Sequence, residues 1–272
     1  MLNIFTLTWN GCARLNKLKE SLIPALENIE YTWFIKDNNS DDNTFEVASK
    51  WGDKIKIVKY KDNLQNFAEG MNYLFKMASP NDNDDILLLN NDIVFGDIIS
   101  LQKMLELLKK DNVGVVGARL LYTGTNKLQH AGVIFPHFGL PIHYRLGDTS
   151  DGNALKNRIF QVVTGAVILL KAKDYKNICT TNKSGISGMC DGLVWCFDDI
   201  DACLSIGNNT KKKIVYCGGT TIFHEESASL KENPVNKLFM KHNVNYFRNK
   251  WSGRYTLDLE KYKDNPDYNL YK

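Results

Sequence analysis

The sequence predicts an α/β fold built on a mostly parallel sheet with helices on both faces. Two observations carry this. Over the first 120 residues short apolar runs alternate with amphipathic stretches at helical spacing, and each apolar run is followed at once by polar residues. Strand–helix alternation brings right-handed crossovers, and those crossovers build a parallel sheet. The 272 residues, 43% hydrophobic and 24% charged, supply one large core and exclude a disordered or collagen-like chain.

Taken in order, the apolar runs at residues 3–8, 32–36, 55–60, 86–89 and 113–117 read as strands. Between them 14–28, 44–51, 67–78 and 98–110 carry apolar residues at helical spacing, as in Leu101, Met104, Leu105 and Leu108. The opening run is short and lacks a basic leader, so it reads as a buried strand and not as a signal peptide. Beyond residue 120 the pattern becomes irregular, with strands at 133–135, 159–163, 167–170, 214–217 and 221–223 and one acidic element at 197–206. A helix is expected at 234–250, with Pro234 in its first turn, and an extended tail after it. The expected organisation is one domain over 1–230, split near residue 120, followed by a basic helix and tail over 231–272.

No window approaches the ~20 apolar residues of a membrane helix. The six cysteines form no Cys-x-x-Cys pair, so they read as reduced thiols of a cytoplasmic protein. Net charge is +3, and the segment 231–272 holds nine Lys/Arg against five Asp/Glu. That excess is either a solvated helix face or a surface for an anionic acceptor, nucleic acid included.

In an open parallel sheet, ligands bind beyond the carboxyl ends of the strands. Those ends read Thr8-Trp9-Asn10, Asp37-Asn38-Asn39-Ser40, Asp62-Asn63 and Asn90-Asn91-Asp92. Asp92, after the buried run Ile86–Leu89, suits either a turn or a hard divalent cation bridged to a diphosphate. Asp37 with its amide neighbours suits a nucleoside, or a helix cap. Asp198, Asp199 and Asp201 crowd three carboxylates into four positions, which raises proton affinity as a general base requires, or simply complements a helix dipole. His224 ends an apolar strand, where it serves as a core residue or a ligand. Trp9, Trp33 and Trp51 read as core or strand-flanking aromatics.

In chain order the sequence shows IFTLTWN, KDNNSDDNT, DNLQNFAEGMN, LLLNNDIVF, VVGARLLY with KLQHAGVIF, VTGAVILLK, FDDIDACLSI and TIFHEESAS. This series resembles the family 2 glycosyltransferases of GT-A fold, with a Rossmann-like sheet, and within them the rhamnosyl- and galactofuranosyl-type transferases. The resemblance implies a nucleoside-diphosphate-sugar donor, UDP-linked, a Mn²⁺ or Mg²⁺ ion, and inversion at the anomeric carbon.

It further implies that Thr8, Asn10, Asp37, Asn39, Asn63, Asn66, Asn90 and Asn91 line the donor, that Asp92 and His224 hold the metal, and that Asp199 is the base. Asp198, Trp195 and Asp191 fall on the acceptor side. Asn90 stands where the family's Asp-x-Asp begins, and Asp198 where its Glu-Asp pair begins. Gln129-His130-Ala131-Gly132 resembles a family loop near the donor. The expected acceptor is a glycan. Hydroxylated DNA bases held by Lys237, Lys241, Arg248, Lys250 and Arg254 are the alternative, as is a catalytically silent sugar-binding module.

Overall fold

A computed structural model describes residues 1–60, 66–194, 196–225 and 234–271, with backbone alone at 234–237. The first half follows the predicted alternation: β1 (Leu2–Thr8), α1 (Cys12–Ala25), β2 (Tyr31–Asp37), α2 (Thr44–Ala48), β3 (Ile55–Lys59), α3 (Phe67–Ala78) and β4 (Asp85–Asn90). The helix α3 begins and ends where its pattern does, because the Asn66 carbonyl caps its first turn by accepting from the Glu69 N–H at 2.7 Å. A short return strand, β5 (Ile93–Phe95), precedes α4 (Ser100–Leu108) and the long β6 (Val113–Tyr122).

The second half inserts β7 (Leu128–His130), β8 (Val133–Ile134), β9 (Ile142–His143) and β10 (Arg158–Phe160) before β11 (Val167–Lys171), α5 (Ala172–Lys176), α6 (Asp198–Thr210) and β12 (Lys213–His224). The runs expected as two strands at 214–217 and 221–223 are one strand, β12. Its pairing with β6 slips between Cys217 and Ile222, and there the Gly218-Gly219 break had interrupted the apolar pattern.

The main sheet runs β10-β12-β6-β11-β4-β1-β2-β3, with β5 on β12 and β7 on β6. Strands β1, β2, β3, β4, β6 and β12 all run one way, and β11 lies antiparallel between β4 and β6. Successive residues on β1 feed opposite faces: Ile4 joins Leu15, Leu18, Leu101 and Met104 of α1 and α4, while Phe5 joins Met71 and Leu74 of α3 and Leu204 of α6. Both faces are therefore covered, as a sheet of buried strands demands.

The C-terminal segment is built into the same core. Phe247 and Trp251 of α7 (Pro234–Trp251) are buried, and so is Tyr262 of α8 (Leu259–Asp264). The expected extended tail is thus corrected to a helix followed by a docked end. Tyr262 stacks on Phe160 at 4.8 Å and its hydroxyl donates to the Ile159 carbonyl, so a buried aromatic holds the turn in place. All six cysteines are free thiols. Among the described residues no helix is long and apolar enough to cross a membrane.

Candidate active site

The parallel strands β1, β2, β4, β6 and β12 end at one edge of the sheet. The antiparallel β11 begins there, which brings Thr164, Gly165 and Ala166 against the end of β4, where the Asn90 N–H donates to the Ala166 carbonyl at 3.0 Å. A groove of about 420 Å³ opens at this edge, lined by Asn90, His224, His143, Gly165, Asp198 and Asp199 among others.

Asp92 and His224 meet because β5 pairs with β12 in a register that sets His224 opposite Ile93. His224 Nε2 lies 3.1 Å from Asp92 Oδ1, yet that buried oxygen receives no hydrogen bond. The tautomer explains this. The Nδ1 of His224 pairs with Gln129 Oε1 at 2.6 Å, which calls for a proton on Nδ1, and the Asn90 amide nitrogen approaches Nε2 at 3.4 Å, so the neutral imidazole in this tautomer presents a lone pair at Nε2.

A lone pair and a carboxylate oxygen facing each other repel unless a cation joins them. Two ligands at right angles on a hard divalent cation stand about 3 Å apart, so the pair fits one. Among the described residues no third His, Cys, Asp or Glu completes a protein-only cage. A magnesium-like ion held by few side chains takes its remaining ligands from water and phosphate.

The second acidic group opens α6. Phe197, the residue before it, sits in the left-handed region at φ +69°, a conformation a bulky residue adopts only under constraint, and its ring packs on Phe247 at 5.5 Å. This corner turns the first carboxylates of α6 into the groove. Asp199 Oδ2 accepts from the Gly165 N–H at 2.8 Å, and its Oδ1 from the Ile200 N–H at 2.8 Å. The approach favours glycine, since a Cβ on Gly165 would press to 3.0 Å from the Asp199 Cβ and push that side chain by a few tenths of an ångström.

Burial raises both carboxyls above the ordinary range. The charge of Asp199 pushes Asp198 further up, whereas the N–H donors and His143 draw Asp199 back down. Asp201 is different: it is buried against Lys250 Nζ at 2.7 Å and accepts from the Trp251 indole at 2.8 Å, so it anchors α7.

A family model described as Glycosyl transferase family 2 matches residues 4–178. The chain belongs to glycosyl transferase family 2. Among curated proteins it is 26% identical over 229 residues to the O-antigen biosynthesis protein RfbC of Myxococcus xanthus, covering 81% of this chain and 17% of that one. It is 27% identical over 179 residues to the uncharacterized protein y4gI of Sinorhizobium fredii, covering 61% of this chain and 18% of that one. The chain thus spans less than a fifth of the length of these relatives.

Among solved structures it resembles GalNAc-T7 with UDP, GalNAc and Mn²⁺ (TM-score 0.67, 11% identity, 93% of this chain and 48% of that one). It also resembles Staphylococcus aureus TarS with UDP-GlcNAc (0.62, 12%, 91% and 66%) and the mannosyltransferase PcManGT of Pyrobaculum calidifontis with GDP-Man and Mn²⁺ (0.59, 9%, 89% and 61%). The fold is GT-A.

Within this family 2 glycosyltransferase the expected site residues divide. Asn90, His224, Asp198 and Asp199 share the main groove, and buried Asp92 touches it through His224. Thr8, Asn10 and Asn91 line a second hollow of about 310 Å³ at the end of β1, where the Thr8 hydroxyl accepts from the Asn91 amide at 3.1 Å. Trp9, half exposed, flanks the strand and lines this hollow, together with Asn38, one of the amides after Asp37, and Arg14, which the sequence did not single out.

Other side chains are engaged elsewhere. Asp37 is fully buried and holds Ser40 through its hydroxyl and N–H. Asn39 takes φ +61° on the exposed bend beside it. Asn66 caps α3 and donates to the Asp191 carbonyl at 3.3 Å, and the Asp191 carboxylate accepts from the Lys183 and Ser184 N–H groups, bracing its own loop. Asn63, Trp195 and the side chain of Lys237 lie outside the described residues. The residues sequence reasoning missed are Gln129 as the partner of His224, Gly165 as the partner of Asp199, and His143. The Gln129-His130 and Thr164-Gly165 motifs were the available signals.

Proposed function

We propose that this glycosyltransferase is metal-dependent and inverting, and moves a sugar from a UDP-linked donor to a hydroxyl of a glycan in the cytoplasm. The observation that carries the reading is a single groove lined by a backbone-braced carboxylate, Asp199, and by His224, behind which lies buried Asp92 with its unsatisfied oxygen. The free thiols suit a reducing compartment. Residues 1–120 serve the donor, 121–230 the acceptor, and 231–272 support the acceptor side.

In this reading Thr8, Asn10, Asn38 and Asn91 hold the nucleotide at the end of β1, and Asp37 acts from behind by fixing the bend that carries Asn38. Asp92 and His224 would hold Mn²⁺ or Mg²⁺, which when bound supplies positive charge to a leaving diphosphate. Asp199 accepts the proton of the acceptor hydroxyl as that oxygen forms its bond to the anomeric carbon. The bond from that carbon to the diphosphate oxygen breaks on the opposite face, so configuration inverts. Burial of Asp199 raises its affinity for the proton, and the two backbone N–H donors keep it from rotating away.

Lys250 is engaged by Asp201, which leaves Lys241, Arg248 and Arg254 as the exposed cations among the described tail residues once named for a nucleic-acid acceptor and favours the glycan reading. The test is a panel of nucleotide sugars with Mn²⁺ and glycan acceptors, scored by nucleoside diphosphate release and thermal shift. Release with a UDP-sugar is expected. A folded protein that neither binds nor turns over any donor overturns the reading.

A further inference from the structure

The groove beside Asp199 has apolar lining that the chemistry above leaves unused. Its polar groups come from strand ends and from the first turn of α6, whereas Phe67, Val133, Pro141, Ile142 and Phe197 line it with apolar surface. Val133 is buried, and Phe67 and Phe197 also pack on the core. Ile142 differs from them. It is 38% exposed, an uncovered aliphatic side chain in the same groove as Asp198, Asp199 and His224.

The backbone holds Ile142 in that place. β8 and β9 form a hairpin in which Ile142 stands opposite Ile134, and the Tyr144 N–H donates to the Gly132 carbonyl at 2.9 Å to close its open end. At the tip the Gly139 N–H donates to the Pro136 carbonyl at 2.8 Å, in a turn that glycine permits at φ +77°. The Tyr255 hydroxyl ties the tip down by donating to the Gly139 carbonyl at 2.8 Å.

The hairpin is also mounted on the segment that braces Asp199. The Val133 N–H donates to the Val162 carbonyl at 3.1 Å, and further along the same segment the Gly165 N–H holds Asp199. Ile142 and the carboxylate are therefore fixed to one framework.

An apolar side chain open to water gains free energy when a ligand covers it, in proportion to the area removed from water. A diphosphate offers no surface for that. A sugar ring does, because its C–H bonds form an apolar face while its hydroxyls point outward from the rim.

We propose that Ile142 is a specificity residue for the acceptor, packing on the C–H face of a sugar ring so that a hydroxyl of that ring meets Asp199. This deepens the transferase reading and rests on it. The transferred sugar has C–H faces too. The framework that Ile142 shares with Asp199, the group that serves the acceptor hydroxyl, assigns the contact to the acceptor.

The test compares Ile142→Ser, which removes the apolar surface, with Ile142→Leu, which keeps it. The side chain is exposed, so both variants are expected to fold, and thermal midpoints check this. The probes are a UDP-sugar with Mn²⁺ as donor and methyl glycosides of hexoses as acceptors. Ile142→Ser should raise the acceptor KM about tenfold with kcat and the donor KM little changed, and Ile142→Leu should recover most of it.

A wild-type acceptor KM in Ile142→Ser, a rise confined to the donor KM, or a Leu variant as impaired as the Ser variant overturns the inference while leaving the transferase reading intact. Calorimetry of the wild type with the UDP-sugar and Mn²⁺ separates the two failures: no donor bound by the wild type overturns both.

Discussion

Asp92 and Asp199 are two carboxylates at the same edge of the sheet, and the protein treats them in opposite ways. Asp199 is satisfied from the backbone, one N–H on each oxygen, and its surroundings raise its hold on a proton. Asp92 is buried with an oxygen that receives no hydrogen bond and faces His224 Nε2 at 3.1 Å. An orphaned buried carboxylate oxygen costs free energy that a cation would return, whereas a braced carboxylate of raised proton affinity is ready to take a proton. Equal residue type therefore leads to different chemistry, and the difference lies in who donates to each oxygen.

That contrast can be broken from either side. The largest effect is expected for Asp199→Asn, which keeps the shape but retains only one of the two accepting oxygens and cannot take a proton: turnover should fall by about 10² to 10⁴ with donor affinity little altered. Near-normal turnover would hand the role to another acid. Next, Asp92→Ala should abolish the tightening of UDP by Mn²⁺ while the thermal midpoint holds or rises, because the unsatisfied oxygen is removed. Calorimetry with and without Mn²⁺ reads this, and an unchanged metal effect would take Asp92 out of the cation site.

Gly165→Ala pushes a methyl group at the Asp199 side chain and should lower kcat by about tenfold to a hundredfold through misplacement alone, leaving Mn²⁺-dependent donor binding intact. Loss of both together would mean that the two acids are not separable. Gln129→Leu acts on the other side: with His224 free to turn, Mn²⁺ affinity measured by electron paramagnetic resonance should weaken by about 10- to 100-fold.

The smallest effect concerns stability. Burial raises the Asp198 carboxyl in the folded state, so the fold keeps a proton that the unfolded chain releases, and stability falls as pH climbs from ~3.9 toward the raised value. Asp198→Asn removes that penalty. It should gain on the order of 1 kcal/mol over wild type in urea unfolding at pH 8 and little at pH 4. An equal gain at both pH values would show that packing, and not proton linkage, is responsible.

Much of the fold was legible because its signals are local. Four consecutive apolar residues, Ile86 to Leu89, announced β4, and the polar residues after it marked the site edge. The helix over 67–78 was legible from its spacing, whereas the sequence reading took Asn66, which caps it, for a donor-side residue. The positions of Asp92, Asp199 and His224 near the ends of elements were legible for the same reason, Asp92 just after β4, His224 at the end of β12 and Asp199 at the start of α6.

The strands β7 and β9, only three and two residues long, have no periodicity to show and exist because β6 and β8 pair with them. His143 meets His130, 13 residues away, and Gly165 meets Asp199, 34 residues away, and neither separation leaves a mark in the sequence. The end of the chain misled for a related reason. Its helix is held by Tyr262 against Phe160, a contact no local pattern encodes.

The pairing of β5 with β12 has a consequence for how the proposed cation site can fail. A hydrogen-bonded ladder shifts only in whole residues, and a slip of one would turn His224 to the opposite face of the sheet, away from Asp92. Position at the proposed cation site is therefore digital. Damage to that ladder should not yield a population of uniformly weakened molecules. It should yield two populations, one fully competent and one dead, so that counting active sites by tight-binding titration would fall while the survivors keep wild-type constants.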